Sequence, residues 1–70
     1  MTEKSIREFI TTTADRHKKV VTLHLTTGTT YTSGHFIVYT GEGTVTDVRD
    51  GCVRAVIALE HIIFAVIGDP

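Results

Sequence analysis

The sequence predicts a small, mostly β domain that has one N-terminal helix and folds as an antiparallel barrel. Three observations support this prediction. Apolar residues recur at helical spacing near the N-terminus, and from residue 20 onward they recur at every second position. Turn residues divide this second part into short segments. The last quarter of the chain is an apolar run that only Arg54, Glu60 and His61 interrupt before Gly68.

The helix is expected from Ser5 to His17. Ser5 and Glu8 have the spacing of a capping box, in which each side chain satisfies a backbone amide at the helix start. One apolar face follows at helical spacing and comprises Ile6, Phe9, Ile10, Thr13 and Ala14. The run of three threonines weakens the helix, because β-branching restricts their rotamers. We therefore expect the helix to depend on docking against the strands.

The first two predicted strands follow the helix. The first begins at Val20 and places Val21, Leu23 and Leu25 on one face. Thr27-Gly28 forms a turn, and a longer second strand runs from about Thr29 to Thr40. Gly34 lies inside this strand, where a glycine often marks a bulge or a sharp bend.

Three further strands complete the pattern. The third covers Thr44 to Arg49, and the odd spacing of its valines predicts an irregularity. Asp50-Gly51 is a type I′ hairpin pair that leads into a fourth strand from Cys52 to about Leu59. A Glu60-His61 corner precedes the fifth strand, from Ile62 to Ile67. Five short sequential strands over residues 20–67 predict a strongly bent small barrel with SH3-like or OB-like closure.

The apolar tail predicts self-assembly. Continuous apolar strands are typical of strands that are covered on both faces. A chain of 70 residues forms one domain, residues 1–70, and hides only about 60% of the surface that its unfolded chain exposes. The remaining cover is most simply supplied by further copies of the same protein.

Composition restricts the partners and the compartment. The opening MTEKSIREF lacks the apolar core of a signal peptide, and the final apolar run is shorter than the ~20 residues that span a bilayer. The single cysteine, Cys52, fits a reducing environment. We therefore expect a cytoplasmic protein that does not enter the membrane.

Two segments resemble the Sm-like family, which includes the eukaryotic Sm and LSm proteins and the bacterial Hfq. The stretch VVTLHLTTGTTYTSGHFIVYT resembles the first Sm motif, with its alternating apolar residues and its turn glycine, Gly28. The segment VIALEHIIFAVI resembles the second motif, with a short corner between two apolar strands. The resemblance implies an Sm-like, SH3-like five-stranded barrel. It also implies homo-oligomeric rings of five to seven subunits, in which the fourth strand of one subunit pairs with the fifth of its neighbour.

The nucleotide pocket of the family is not retained residue by residue. The family places an Asp and an Asn around the loop after the bent strand, where this chain has Thr40 and Gly43. Ala58-Leu59 stands where Sm proteins usually carry Arg-Gly. Bacterial members have a Lys and a His before the last strand, whereas here Glu60 precedes His61.

Candidate RNA-binding residues nevertheless remain. The resemblance places His61 at a central pore, and the alternative is a capping or exposed turn histidine. Tyr39 is either a base-stacking platform or a strand aromatic that covers the barrel mouth. Lys18 and Lys19 belong to the only local basic cluster, which is either a solvated helix end or a phosphate-contacting patch.

Two functions remain open. The first is a ring that binds single-stranded RNA, with an RNA-chaperone-type role; the second is a structural or protein-interaction ring without nucleic acid. The formal net charge of −1 favours the second, and the family resemblance favours the first. We expect no catalytic residues, no metal site and no cofactor, because no nucleophile, ligand cluster or phosphate-cradling loop has the required spacing. The residues expected to form the subunit interface are Val53, Val56, Ile57, Ile63, Ala65 and Ile67.

Overall fold

The computed structural model describes residues 1–70 as an N-terminal helix and two three-stranded antiparallel sheets. The strand order is β2-β1-β6 in one sheet and β3-β4-β5 in the other. The strands are β1 (Val20–Leu25), β2 (Thr30–Ser33), β3 (Phe36–Ile37), β4 (Thr44–Arg49), β5 (Cys52–Ala58) and β6 (Ile62–Gly68). A 3-10 turn, Leu59–His61, connects β5 to β6 and is called the corner turn below. The predicted class, mostly β with one N-terminal helix, is therefore confirmed.

The helix starts two residues earlier than expected. Helix α1 (Glu3–Glu8) is capped by Thr2, whose hydroxyl accepts the backbone N–H of Ser5 at 3.2 Å. The predicted Ser5–Glu8 capping box is therefore wrong, because Ser5 lies inside the first turn and is itself the capped residue. Glu3 takes the position that favours an acidic side chain at a helix start, and it pairs with Arg7 at 3.2 Å.

The threonine run adopts a π-helix, Phe9–Ala14, rather than a continued α-helix. The backbone N–H of Asp15 bonds the carbonyl of Ile10, five residues back, at 2.8 Å. The hydroxyl of Thr11 donates to the Arg7 carbonyl at 2.7 Å, which is a competing bond typical of threonine in helices. The wider winding keeps Ile10 and Ala14 on the buried side. The helix ends at Ala14 rather than at the predicted His17.

The core lies between the helix and the inner faces of the two sheets. Val21 and Leu23 of β1 are 2% and 0% exposed, as the alternating pattern predicts. The other core members are Ile6, Ile10, Ala14, Phe36, Val45, Leu59 and Ile62. Nine apolar residues in a chain of this size make a small core, so the fold depends on a few contacts.

The predicted second strand, Thr29–Thr40, is two short strands. Strand β2 pairs with β1, whereas β3 pairs with β4 in the other sheet. The break lies at Gly34-His35, where the expected bend carries the chain from one sheet to the other. Beyond β3 the chain leaves the sheet before Thr40, and Gly41 and Gly43 both adopt positive φ in the connecting loop.

The hairpin and the irregularity of the third predicted strand are both confirmed. Asp50 and Gly51 have φ of 52° and 76°, the left-handed pair that a type I′ turn requires. The β4–β5 register shifts between Asp47, which faces Ala55, and Val48, which faces Val53. Arg54 therefore has no partner across the ladder, which is the arrangement of a β-bulge.

The barrel is not closed. The last strand of each sheet, β5 and β6, pairs with one neighbour only, and the two strands do not pair with each other. The expected closed five-stranded barrel is therefore replaced by six strands in two sheets. The bend at Gly34-His35 and the corner turn join these sheets through the chain. Neither helical segment has the length and apolar character that a membrane-spanning helix requires.

Candidate functional site

Two unpaired strand edges are the most prominent feature of the surface. Strands β5 and β6 are each seven residues long, and each leaves the backbone groups of one edge free. A bulge interrupts the paired side of each strand, at Arg54 in β5 and at Ile63 in β6. Free strand edges of this length are templates for pairing with another chain.

The exposed apolar side chains are concentrated on these same two strands. Val53 and Val56 of β5 are 62% and 59% exposed, and Ile63 of β6 is 58% exposed. Phe64 and Val66 of β6 are 47% and 46% exposed. Five of the seven exposed large apolar residues thus belong to the open edges. Monomeric proteins rarely expose such contiguous apolar surface without a binding role.

The structure divides the six predicted interface residues into two groups. Val53, Val56 and Ile63 are exposed, as an interface requires. The other three, Ile57, Ala65 and Ile67, are half-buried and pack against the core of their own chain. Sequence reasoning also missed Phe64 and Val66, because an unbroken apolar run does not show which alternate positions face outward.

Phe64 contacts an aromatic neighbour on the outer face of its sheet. It lies opposite His24 of β1, and the two rings stack with centroids 4.1 Å apart and planes 14° apart. Val66 lies on the same face, opposite Thr22. The apolar side chains of β6 therefore lie beside His24 and Thr22 of β1.

Two of the predicted RNA-binding residues, Tyr39 and His61, lie at the same end of the molecule. Tyr39 is 49% exposed and precedes the 40–43 loop, which is held to the corner turn by a 2.9 Å bond from Leu59 N–H to the Gly43 carbonyl. The His61 side chain is exposed in the corner turn, and its Nε2 lies 3.8 Å from a Glu60 carboxylate oxygen.

The other two, Lys18 and Lys19, lie in a groove away from that corner. The groove passes between the helix end and the bend after β2, and His35 and Arg49 also line it. Lys19 forms an ion pair with Asp69, whose pKa is lowered by that hydrogen bond and charge. The structure therefore brings Lys18 and Lys19 together with two further basic side chains, but not with Tyr39 or His61.

A buried carboxylate lies between the sheets, and sequence reasoning missed it. Asp47 of β4 is 1% exposed. Its Oδ2 accepts the Tyr31 hydroxyl and its Oδ1 accepts the Ser33 hydroxyl, each at 2.6 Å. The Arg49 Nε lies 3.8 Å from Oδ1. Both donors belong to β2, so these bonds connect the two sheets across the interior.

These contacts alter the pKa of both partners. Burial alone raises the pKa of Asp47, but the hydrogen bonds from Ser33 and Tyr31, with the charge of Arg49, lower it more. The resulting pKa of Asp47 lies below the usual 3.8. The pKa of Tyr31 is raised, mainly because its hydroxyl donates to the Asp47 carboxylate.

We expect the Asp47 carboxylate to make folding sensitive to acid. Because the pKa of Asp47 is lower in the folded chain than in the unfolded chain, the carboxylate makes its full contribution to folding stability at pH values above the unfolded pKa. This contribution is lost as the pH falls below about 4 through the folded value. Urea unfolding at about pH 7 and about pH 3 should show a larger loss of stability for the wild type than for Asp47→Asn. Asp69→Asn is the control, since that carboxylate is exposed and its removal should leave the profile close to that of the wild type. Equal losses in wild type and Asp47→Asn would contradict this assignment.

No family model, curated protein or solved structure matches the chain.

Proposed function

We propose that this chain is a subunit of a cytoplasmic, Sm-like homo-oligomeric ring, in which β5 of one copy pairs with β6 of the next. The observation that carries the proposal is the pair of open edges. Both edges are seven residues long, both belong to antiparallel sheets, and both carry exposed apolar side chains. Pairing one with the other satisfies the free backbone groups and covers Val56 and Ile63 in the same step.

The two edges are different surfaces, which favours a ring over a simple dimer. Contacts between unlike surfaces are heterologous, so an open row of copies ends with a free β5 edge on one side and a free β6 edge on the other. Closure into a ring leaves no β5 or β6 edge free, whereas an open row always leaves one of each. The resemblance of the two quoted sequence segments to the Sm motifs implies five to seven copies.

Binding of single-stranded RNA, in an RNA-chaperone-type role, is the function that we propose for this ring. The supporting observation is the groove in which Lys18, Lys19, His35 and Arg49 lie together with one side-chain carboxylate, that of Asp15. Basic side chains along a groove neutralise phosphates and release counterions, which supports weak binding with little sequence preference. Tyr39, which is exposed and lies outside this groove, offers a separate surface for base stacking.

A protein-interaction ring without nucleic acid is the second candidate. The formal net charge is −1, Lys19 is paired with Asp69, and Glu60 accompanies His61 at the corner. The carboxylates beside Lys19 and His61 weaken the attraction for phosphate. These observations favour a partner that is itself a protein.

Titration with RNA distinguishes the two candidates. We expect fluorescently labelled oligo-U and oligo-A to bind the wild type at low salt with similar affinity, and binding to weaken steeply as salt rises. Lys18→Gln should weaken both oligonucleotides, because it removes one groove cation. The matched control is Lys4→Gln, which removes the same charge from exposed helix α1 outside the groove. Flat titrations, together with purified protein whose ultraviolet absorbance shows no nucleic acid, would reject RNA binding in favour of the interaction ring.

A further inference from the structure

The bulge in β5 places an arginine at a small cavity that the buried carboxylate also lines. Because Asp47 faces Ala55 and Val48 faces Val53, Arg54 is the extra residue of its strand. Bulges redirect side chains in this way and are frequent beside functional sites. Arg54 lines a small cavity of about 230 Å³ whose other lining residues are Tyr31, Asp47 and Arg49. This surface is distinct from Tyr39 and His61, and it shares only Arg49 with the groove of Lys18 and Lys19.

The cavity carries an excess of positive charge. Its two guanidinium groups belong to Arg49 and Arg54, and its one carboxylate belongs to Asp47. Arg54 has no ion-pair partner within 4.0 Å, while Arg49 approaches Asp47 only at 3.8 Å. Asp47 is 1% exposed, and each of its oxygens already accepts a hydroxyl. Arg49 and Arg54 are both exposed, so the charged groups of the cavity that meet solvent are the two guanidiniums.

We propose that this cavity binds a phosphate group between Arg49 and Arg54. A guanidinium presents planar pairs of N–H donors that match the oxygens of phosphate. Two guanidiniums at one cavity suit a tetrahedral oxyanion, which offers several oxygens, better than a single carboxylate. The volume accommodates one phosphate group with its surrounding water. All four lining residues belong to one chain, so no residue of a neighbouring copy is needed to form the site.

The buried carboxylate positions the site rather than binding the anion. By accepting from Tyr31 and lying near Arg49, Asp47 holds both side chains at the cavity wall. Its charge is satisfied by these neighbours, which leaves Arg54 as the free cation of the pair. Arg54 is therefore the residue whose removal affects binding most directly.

The test follows the arginine side-chain N–H resonances by NMR during titration with inorganic phosphate at low salt. We expect saturable shifts for Arg49 and Arg54, and an affinity at least about tenfold weaker in Arg54→Gln. Arg7→Gln is the matched control, since it removes the same charge from the helix, where Arg7 pairs with Glu3. Unsaturable shifts, or the same weakening in Arg7→Gln, would reject the site in favour of general charge attraction.

Two further probes identify the source of the phosphate. A uridine monophosphate that binds as tightly as a short oligo-U, with the same dependence on Arg54, indicates a terminal phosphate. Tighter oligo-U binding that still needs Arg54 indicates the phosphodiester backbone. Binding of all three probes that is unchanged in Arg54→Gln overturns the proposal. Light scattering on the same samples separates this result from the ring, because Arg54 lies on β5. Weaker binding at the wild-type assembly size supports the site, and weaker binding that occurs only with loss of assembly rejects it.

Discussion

Val56→Asp is expected to leave the chain folded and to abolish its assembly. Val56 is 59% exposed in the single chain, so a carboxylate there costs little in folding. In the proposed ring the same position is covered by the next copy, where an unpaired charge is strongly unfavourable. A penalty of about 4 kcal/mol per contact weakens each contact about a thousandfold. Sedimentation velocity should give a multimer for the wild type and a monomer for the variant.

Two further variants show whether the loss of assembly is specific to the open edges. Ile63→Asp changes the other open edge and should have the same effect, because each contact uses one edge of each kind. Ile37→Asp is the matched control, since Ile37 is 41% exposed on β3, outside both open edges. A Val56→Asp protein that sediments like the wild type would place the interface elsewhere. A wild type that is monomeric at micromolar concentration would end the ring proposal altogether.

Asp47→Ala is expected to unfold much of the protein. The substitution removes the acceptor of two hydroxyl donors, and the hydroxyl of Ser33, which is 2% exposed, then has no acceptor for its proton. Losing a buried charged acceptor costs about 3 kcal/mol. A lone core of this size supplies only about 3–5 kcal/mol, so the loss is comparable with the whole stability. The midpoint of urea unfolding, followed by circular dichroism, measures the effect.

Two companion variants identify the cause of that loss. Tyr31→Phe removes one of the two donors but keeps the ring, and it should lower the midpoint less than Asp47→Ala does. Asp15→Ala removes an exposed carboxylate at the helix end and should change the midpoint little. An Asp47→Ala midpoint equal to that of the wild type would show that the hydroxyl bonds contribute nothing net to folding.

Local patterns in the sequence predict most of the secondary structure. The alternation of Val21 and Leu23 places both in the core, and the Asp50-Gly51 pair specifies its turn by backbone conformation alone. Gly34 correctly marks the bend. These features depend on neighbouring residues, which a sequence shows directly.

Features that depend on contacts between residues distant in the sequence could not be predicted from local patterns. Whether the barrel closes depends on the distance between β5 and β6, which no local pattern reports. Asp47 looks like an ordinary strand residue until the bend brings Tyr31 and Ser33 of β2 over it. Arg54 looks like an interruption of an apolar strand until the bulge redirects it. The helix start differs because Thr2 competes successfully with Ser5 as the cap.

The two unlike edges have a consequence for mixtures of normal and altered copies. A Val56→Asp chain keeps an intact β6 edge, so in the proposed assembly it can still join a growing row from one side and then accept no successor. Such a copy acts as a chain terminator. Small amounts of this variant, mixed with wild-type protein during assembly, should therefore shorten many complexes. On co-expression, the fraction of wild-type chains that fail to form complete rings should exceed the fraction of variant chains present.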